Sequence, residues 1–149
     1  MFKHILIPTD GSKLASESAQ AGVRLAAALG ARVTAFFAAP PATPIIFKSM
    51  LPVGYATPRE HEKMTRKAAE SYLGTIAKAA AAAGVACETV SVTSDYPAEA
   101  IIAAAKKRRC DLIFMGSHGR RGFRDSLLGS ETHKVLSEGP VPVLVYRRR

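Results

Sequence analysis

Leu112-Ile113-Phe114-Met115 is an unbroken apolar run, stopped by Gly116. A strand with one face in water alternates apolar and polar side chains. A continuous run therefore marks a strand buried on both faces, the situation of a parallel sheet covered by helices. Parallel neighbours cannot be joined by a tight hairpin and need a crossover of about a dozen residues or more, usually a helix. Other short apolar runs, each separated from the next by one helix, should therefore fill the rest of the chain.

The remaining sequence meets that demand. His4–Pro8, with Ile5 and Ile7, reads as a strand closed by the turn Thr9-Asp10-Gly11-Ser12. Leu14, Ser18, Ala21, Gly22, Leu25, Ala28 and Leu29 then repeat at helical spacing up to Gly30, a stop signal. Ala31–Ala38 is the second strand. Five of the nine prolines lie from Pro40 to Pro58, so that stretch is expected to be a long loop. Arg59–Ala83 resumes the helical period through Met64, Ala68, Tyr72, Ile76 and Ala80, and Val85–Thr93 is the third strand. A third helix carries Ala98, Ile101, Ile102 and Ala105 on one stripe. Its basic end, Lys106 to Arg109, complements the helix dipole. After Leu112–Met115 come a glycine-rich segment to Gly129, a short helix from Ser130 to Glu138 and a last strand, Val141–Tyr146. This order predicts an α/β fold with a single open parallel sheet of five strands and helices on both faces. Residues 1–149 suit one domain, long enough to bury roughly two thirds of its unfolded surface without metal or disulfide staples.

Composition narrows the partners. The net charge of +9 favours polyanions: nucleotides, nucleic acid or an anionic surface. No apolar run approaches the roughly 18 residues of a membrane span, and the start lacks a signal-peptide core, so a cytoplasmic protein is expected. Cys87 and Cys110 stand far apart, without CxxC or a zinc-spaced histidine, and read as reduced packing residues. The basic runs Lys106–Arg109 and Arg147–Arg149 lack interleaved aromatics and any helix-turn-helix or RRM signature, so specific nucleic-acid binding is not expected.

In open α/β sheets ligands bind beyond the carboxyl ends of the strands, where strand order reverses. Two segments there carry unusual chemistry: Thr9-Asp10-Gly11-Ser12 after the first strand, and Gly116 to Ser130 after the fourth. Glycines allow close backbone approach, and Ser130, read as an N-cap, opens a helix whose N–H groups and dipole favour an anion. His118, Arg120, Arg121 and Arg124 add basic side chains, and the combination suits a phosphate. The chain has no GxxxxGK[ST], no GxGxxG in the first turn and no GxSxG, which removes the Walker loop, the dinucleotide fingerprint and the nucleophile elbow. No catalytic residue and no metal cage are evident; Asp10 is the one acid at a strand end.

Gly116, two residues, Gly119, nine residues, Gly129 and Ser130 form a spacing that resembles the ATP-binding members of the universal stress protein family. The flanks are similar too: Ile5-Leu6-Ile7-Pro8-Thr9-Asp10-Gly11-Ser12, Pro97-Ala98-Glu99-Ala100-Ile101, Asp111 to Gly119, and Pro140 to Val145. The resemblance spans nearly all of the chain except the proline-rich loop. It implies strand order 3-2-1-4-5, an adenine nucleotide α-hydrolase-like arrangement, with ATP, accompanied or not by Mg2+, across the cleft between the first and fourth strands. By similarity Asp10 meets the base or ribose, the backbone at Ala38 meets adenine, and Gly116, Gly119, Gly129 and Ser130 hold phosphates. Pro8, Thr9, Met115, Ser117, His118, Arg120 and Glu131 complete the implied site. A homodimer through Val141–Tyr146 is implied as well. It agrees with Pro142, which removes a ladder donor as edge strands allow, and with valines more apolar than a bare edge tolerates. Three readings stay open: a regulatory ATP-binding stress protein, a slow ATPase or self-phosphorylating enzyme using Ser117, Ser126 or Ser130, and a dimeric interaction module independent of nucleotide.

Overall fold

The computed structural model describes residues 1–42, 56–119 and 128–148. Nine elements follow in order: β1 (His4–Pro8), α1 (Lys13–Leu29), β2 (Arg32–Ala39), α2 (Pro58–Ala82), β3 (Cys87–Thr93), α3 (Pro97–Lys107), β4 (Leu112–Gly116), α4 (Ser130–Glu138) and β5 (Val143–Tyr146). The strands form one parallel sheet in the order β3-β2-β1-β4-β5, as expected.

Alternate residues of the central strands feed two cores. Ile5 and Ile7 of β1, Val33, Ala35 and Phe37 of β2, and Leu112 and Phe114 of β4 pack under α1 and α2, against Ala19, Val23 and Ala26 and against Ala69, Leu73, Ile76 and Ala80. Leu6, Phe36, Ile113 and Met115 point the other way, against Ala98, Ile101, Ala104 and Ala105 of α3 and Val135 of α4. Both faces being covered is why Leu112–Met115 carries no polar residue. Gly22 brings α1 down onto β1 and β4: a Cβ there would stand 2.8 Å from Ile7 Cδ1 and 3.1 Å from Phe114 Cδ1.

Several boundaries differ from the sequence reading for local reasons. Pro58 belongs to α2 rather than to the loop: it takes the first helical turn, where its missing N–H costs nothing, behind a capping box between Thr57 and Glu60. Residues 43–55 of the expected loop lie outside the described residues. Met64, expected on the buried stripe of α2, is 63% exposed, because the face that meets the sheet runs through Ala69, Leu73, Ile76 and Ala80. Val85 closes the end of α2 through its N–H on the Ala80 carbonyl (2.8 Å), so β3 starts only at Cys87. Arg109 is outside α3, in the left-handed region at φ 55°. β5 begins at Val143, with Pro142 contributing only its carbonyl, which accepts from Ile113 N–H at 3.0 Å. Cys110 is buried and Cys87 half-buried, both with free thiols.

Candidate functional site

β1 pairs with β2 over its whole length but with β4 only at Ile5↔Leu112 and Leu6↔Ile113. Beyond Leu6 the two strands follow different neighbours. Thr9 N–H donates to Phe36 O (2.8 Å), continuing the β1–β2 ladder, and Ser117 N–H donates to Tyr146 O (2.9 Å), continuing β4–β5. The sheet therefore opens between β1 and β4 at its carboxyl edge, the point where strand order reverses.

The turn after β1 is held by its own side chains. Thr9 Oγ1 accepts from Gly11 N–H (3.1 Å), Asp10 Oδ1 from Ser12 N–H (2.9 Å), and Ser12 Oγ from Ala15 N–H (3.1 Å) as the cap of α1. Asp10 thus shapes the turn while Ser12 caps the helix. Its other carboxylate oxygen points across the cleft: a Cβ on Gly119 would lie 2.6 Å from Asp10 Oδ2. Only a glycine lets the two turns approach so closely.

On the β4 side, Gly129 N–H donates to Ser117 O (2.8 Å) and Thr132 Oγ1 to Gly116 O (2.9 Å), tying the start of α4 to the turn. A Cβ on Gly129 would come within 3.0 Å of His118 Cα. Of the three glycines singled out by resemblance, Gly119 faces Asp10, while Gly116 and Gly129 both lie against the Ser117–His118 turn. Ser130 does not cap α4, contrary to expectation. Gly129 is the cap residue, with extended backbone and no side-chain cap bond, and Ser130 is the first helical residue. The start of α4 therefore has no side-chain acceptor at its cap position, the arrangement in which a helix N-terminus can receive an anion.

The other expected residues are distributed around this unit. Pro8 and Thr9 end β1 and enter its turn, and Ala38 lies near the end of β2. Met115 faces the α3–α4 core, buried. Ser117, 5% exposed, has its Oγ 3.2 Å from His118 Nδ1, a contact between adjacent residues that spacing does not reveal. Glu131 turns to α3, where its Oε2 accepts from Ala98 N–H at 2.7 Å. Arg120, Arg121, Arg124 and Ser126 lie outside the described residues. Thr132, 2% exposed, was not singled out from sequence, since nothing in a helical pattern says which carbonyl a buried hydroxyl will meet.

Among the described residues no group of three or more His, Cys, Asp or Glu could hold a metal ion. A groove of about 640 Å3 lies elsewhere, between α2 and the β3 edge, lined by Thr65, Arg66, Leu73, Thr89, Ser91 and Thr93 among others. It lacks a glycine turn and a helix N-terminus, so the β1–β4 edge carries the stronger chemistry despite that volume.

The sequence matches the universal stress protein family over residues 1–147. A Thermus aquaticus protein, the universal stress protein in the QAH/OAS sulfhydrylase 3' region, is 33% identical over 147 residues, covering 99% of this chain and 100% of that protein. Universal stress protein MJ0531 of Methanocaldococcus jannaschii is 31% identical over 148 residues, covering 99% and 84%. Among solved structures, MJ0577 of the same archaeon superposes with a TM-score of 0.79 at 26% identity, covering 100% and 98%. A universal stress protein in complex with cAMP gives 0.72 at 23% identity, covering 99% of each chain. The Archaeoglobus fulgidus universal stress protein in complex with dAMP gives 0.65 at 16%, covering 97% of each; at these identities the last two likenesses are of fold. Matched by the family over residues 1–147 and, over 99% of its length, by a relative 33% identical to it, the chain belongs to the universal stress protein family.

Proposed function

We propose that this chain binds an adenine nucleotide, ATP foremost, in the cleft between β1 and β4 and acts as a regulatory binding protein of the stress response. The observation that carries the reading is the meeting of Asp10 with Gly119 beside the side-chain-uncapped start of α4. One edge then offers a carboxylate for hydroxyls and another offers backbone N–H groups for phosphates. Complexes of structurally similar family members with cAMP and dAMP support an adenine nucleotide. On this reading Gly116, Gly119, Gly129 and Ser130 receive the phosphates, Asp10 the ribose or base, and the backbone near Ala38 the adenine. Thr9, Ser117 and His118 flank them, and Glu131 serves α3 instead. Mg2+ would ride on the nucleotide's phosphates. Titration calorimetry with ATP, AMP and adenosine checks the reading: binding that strengthens with phosphate number is expected, and no heat up to millimolar nucleotide overturns it.

A second reading, slow phosphoryl transfer, draws on the Ser117–His118 contact. Ser117 Oγ would attack the γ-phosphorus, its proton passing to His118 Nδ1 as ADP leaves. Retained radiolabel from γ-labelled ATP that disappears in Ser117→Ala tests it; no label in the wild type removes it. The reading also includes a homodimer through β5, supported by the open ladder edge of that strand and by Leu144, Leu136 and Leu128, which are 38%, 41% and 44% exposed on or beside β5 and α4. It includes a cytoplasmic location, where adenine nucleotides are abundant; among the described residues no helix is long and apolar enough to cross a membrane.

A further inference from the structure

The helix starts are satisfied in different ways. Ser12 caps α1, and Thr57 with Glu60 caps α2. At α3 the cap position is Tyr96, which makes no side-chain cap bond, and Pro97 brings no N–H. The next N–H, that of Ala98, donates to Glu131 Oε2 from the first turn of α4, 33 residues away in sequence. A carboxylate seated on a helix N-terminus gains both a charge-assisted hydrogen bond and the favourable end of the dipole. Next to it Lys134 Nζ reaches Glu99 Oε1 at 2.9 Å, but both side chains are well exposed, 37% and 58%, so that pair contributes little.

The start of α4 lacks a side-chain cap of its own. Its ties to β4, Gly129 N–H to Ser117 O and Thr132 Oγ1 to Gly116 O, fix it to the glycine turn. The Glu131 bond fixes it to α3 on the opposite side. It also directs the carboxylate charge of Glu131 toward α3, where it offsets a different helix dipole.

We infer that Glu131 is a positioning residue for the phosphate side of the cleft: by capping α3 from within α4 it holds the first turn of α4, and Gly129 with it, in the place an anion needs. The effect on nucleotide rests on the function proposed above; the effect on the unliganded chain does not. The test uses the whole protein and three variants, Glu131→Ala, Glu131→Gln and Lys134→Ala. Amide exchange is measured without ligand, and ATP and adenosine affinities by calorimetry. Glu131 is itself exposed, so the low end of what a hydrogen bond to a charged group contributes applies, corresponding to about tenfold. Glu131→Ala is therefore expected to speed exchange at both Ala98 and Gly129 by about tenfold and to weaken ATP by about tenfold, with adenosine changed by less than about twofold. Glu131→Gln, which keeps a carbonyl acceptor for Ala98, should restore all three to within about threefold, and Lys134→Ala should leave Gly129 within about twofold. Faster exchange at Ala98 alone reduces Glu131 to a local cap and overturns the inference. So does tighter ATP binding in both Glu131 variants, which would mean its charge simply repels phosphate. If the wild type binds no nucleotide while the exchange pattern holds, the nucleotide reading fails and the positioning role stands.

Discussion

Gly119→Ala probes the meeting of the two turns at the cleft most directly. The added methyl carbon would stand 2.6 Å from Asp10 Oδ2, closer than side-chain carbons approach an oxygen, so one partner must move. Asp10 is short, and its other oxygen is committed to Ser12 N–H at 2.9 Å, so swinging the carboxylate away loosens that bond. A hydrogen bond to a charged acceptor contributes about 1.5–3 kcal/mol, and because Asp10 is only half-buried we take about 1.5 kcal/mol. That corresponds to a fall in the unfolding midpoint of about 3–6 °C; a carboxylate bond of similar strength to the nucleotide, lost if Asp10 leaves its binding position, corresponds to a roughly tenfold loss of affinity. A double-mutant cycle separates steric contact from other effects. In an Asp10→Ala background the clash has no partner, and Gly119→Ala should cost less than about 0.5 kcal/mol in thermal or denaturant unfolding. Equal costs in the two backgrounds would show that Asp10 is not what the methyl meets, and the proposed coupling between the turns would be refuted.

Further outcomes follow from other parts of the fold. His4 is buried at the start of β1: Thr34 gives its proton to Glu88 (2.7 Å) and so accepts from His4 Nε2–H (2.6 Å), while His4 Nδ1 finds no hydrogen-bond partner among the described residues. Burial first, then Arg32, lowers the pKa of the ring below its ordinary 6.5, so the fold prefers it neutral. Its contribution is complete above that value and is lost as pH falls through the lowered one, with a slope of at most about 1.4 kcal/mol per pH unit; His4→Gln should flatten the decline of unfolding free energy as pH falls below 6.5. Burial pushes the Cys110 thiol up to about 11. At pH 8 only about one molecule in a thousand carries the thiolate, so iodoacetamide should leave Cys110 unlabelled in the native protein and label it in denaturant. Native labelling of Cys110 as fast as that of Cys87 would contradict its burial. Leu144→Glu on β5 should shift a homodimer to monomer in sedimentation velocity at unchanged unfolding midpoint; a wild type that sediments as monomer at high concentration removes the dimer from the proposal.

The unbroken run Leu112–Met115, the helical spacing from Leu14 to Leu29 and the stop at Gly30 were sufficient to read the sheet and its helices, because each depends on a periodicity of the chain itself. The triple glycine spacing was legible only through its resemblance to a known family; what the fold adds is that Gly119 lets Asp10 Oδ2 approach and Gly129 lets the His118 backbone approach, where a Cβ would crowd either. What sequence misassigned was local competition. Thr57 drew Pro58 into α2, and packing turned Met64 outward. Gly129 displaced Ser130 from the cap because the tie between Gly129 N–H and Ser117 O fixes where α4 begins. Tertiary structure alone decided the contacts of the site. Asp10 faces Gly119 across a sheet whose ladder breaks after Leu6, and Glu131 turns from the cleft to the start of α3. These are pairings between residues 109 and 33 positions apart in sequence, Asp10 with Gly119 and Ala98 with Glu131. A one-dimensional pattern carries the spacing of residues along one element but no record of which distant backbone group a carboxylate will find.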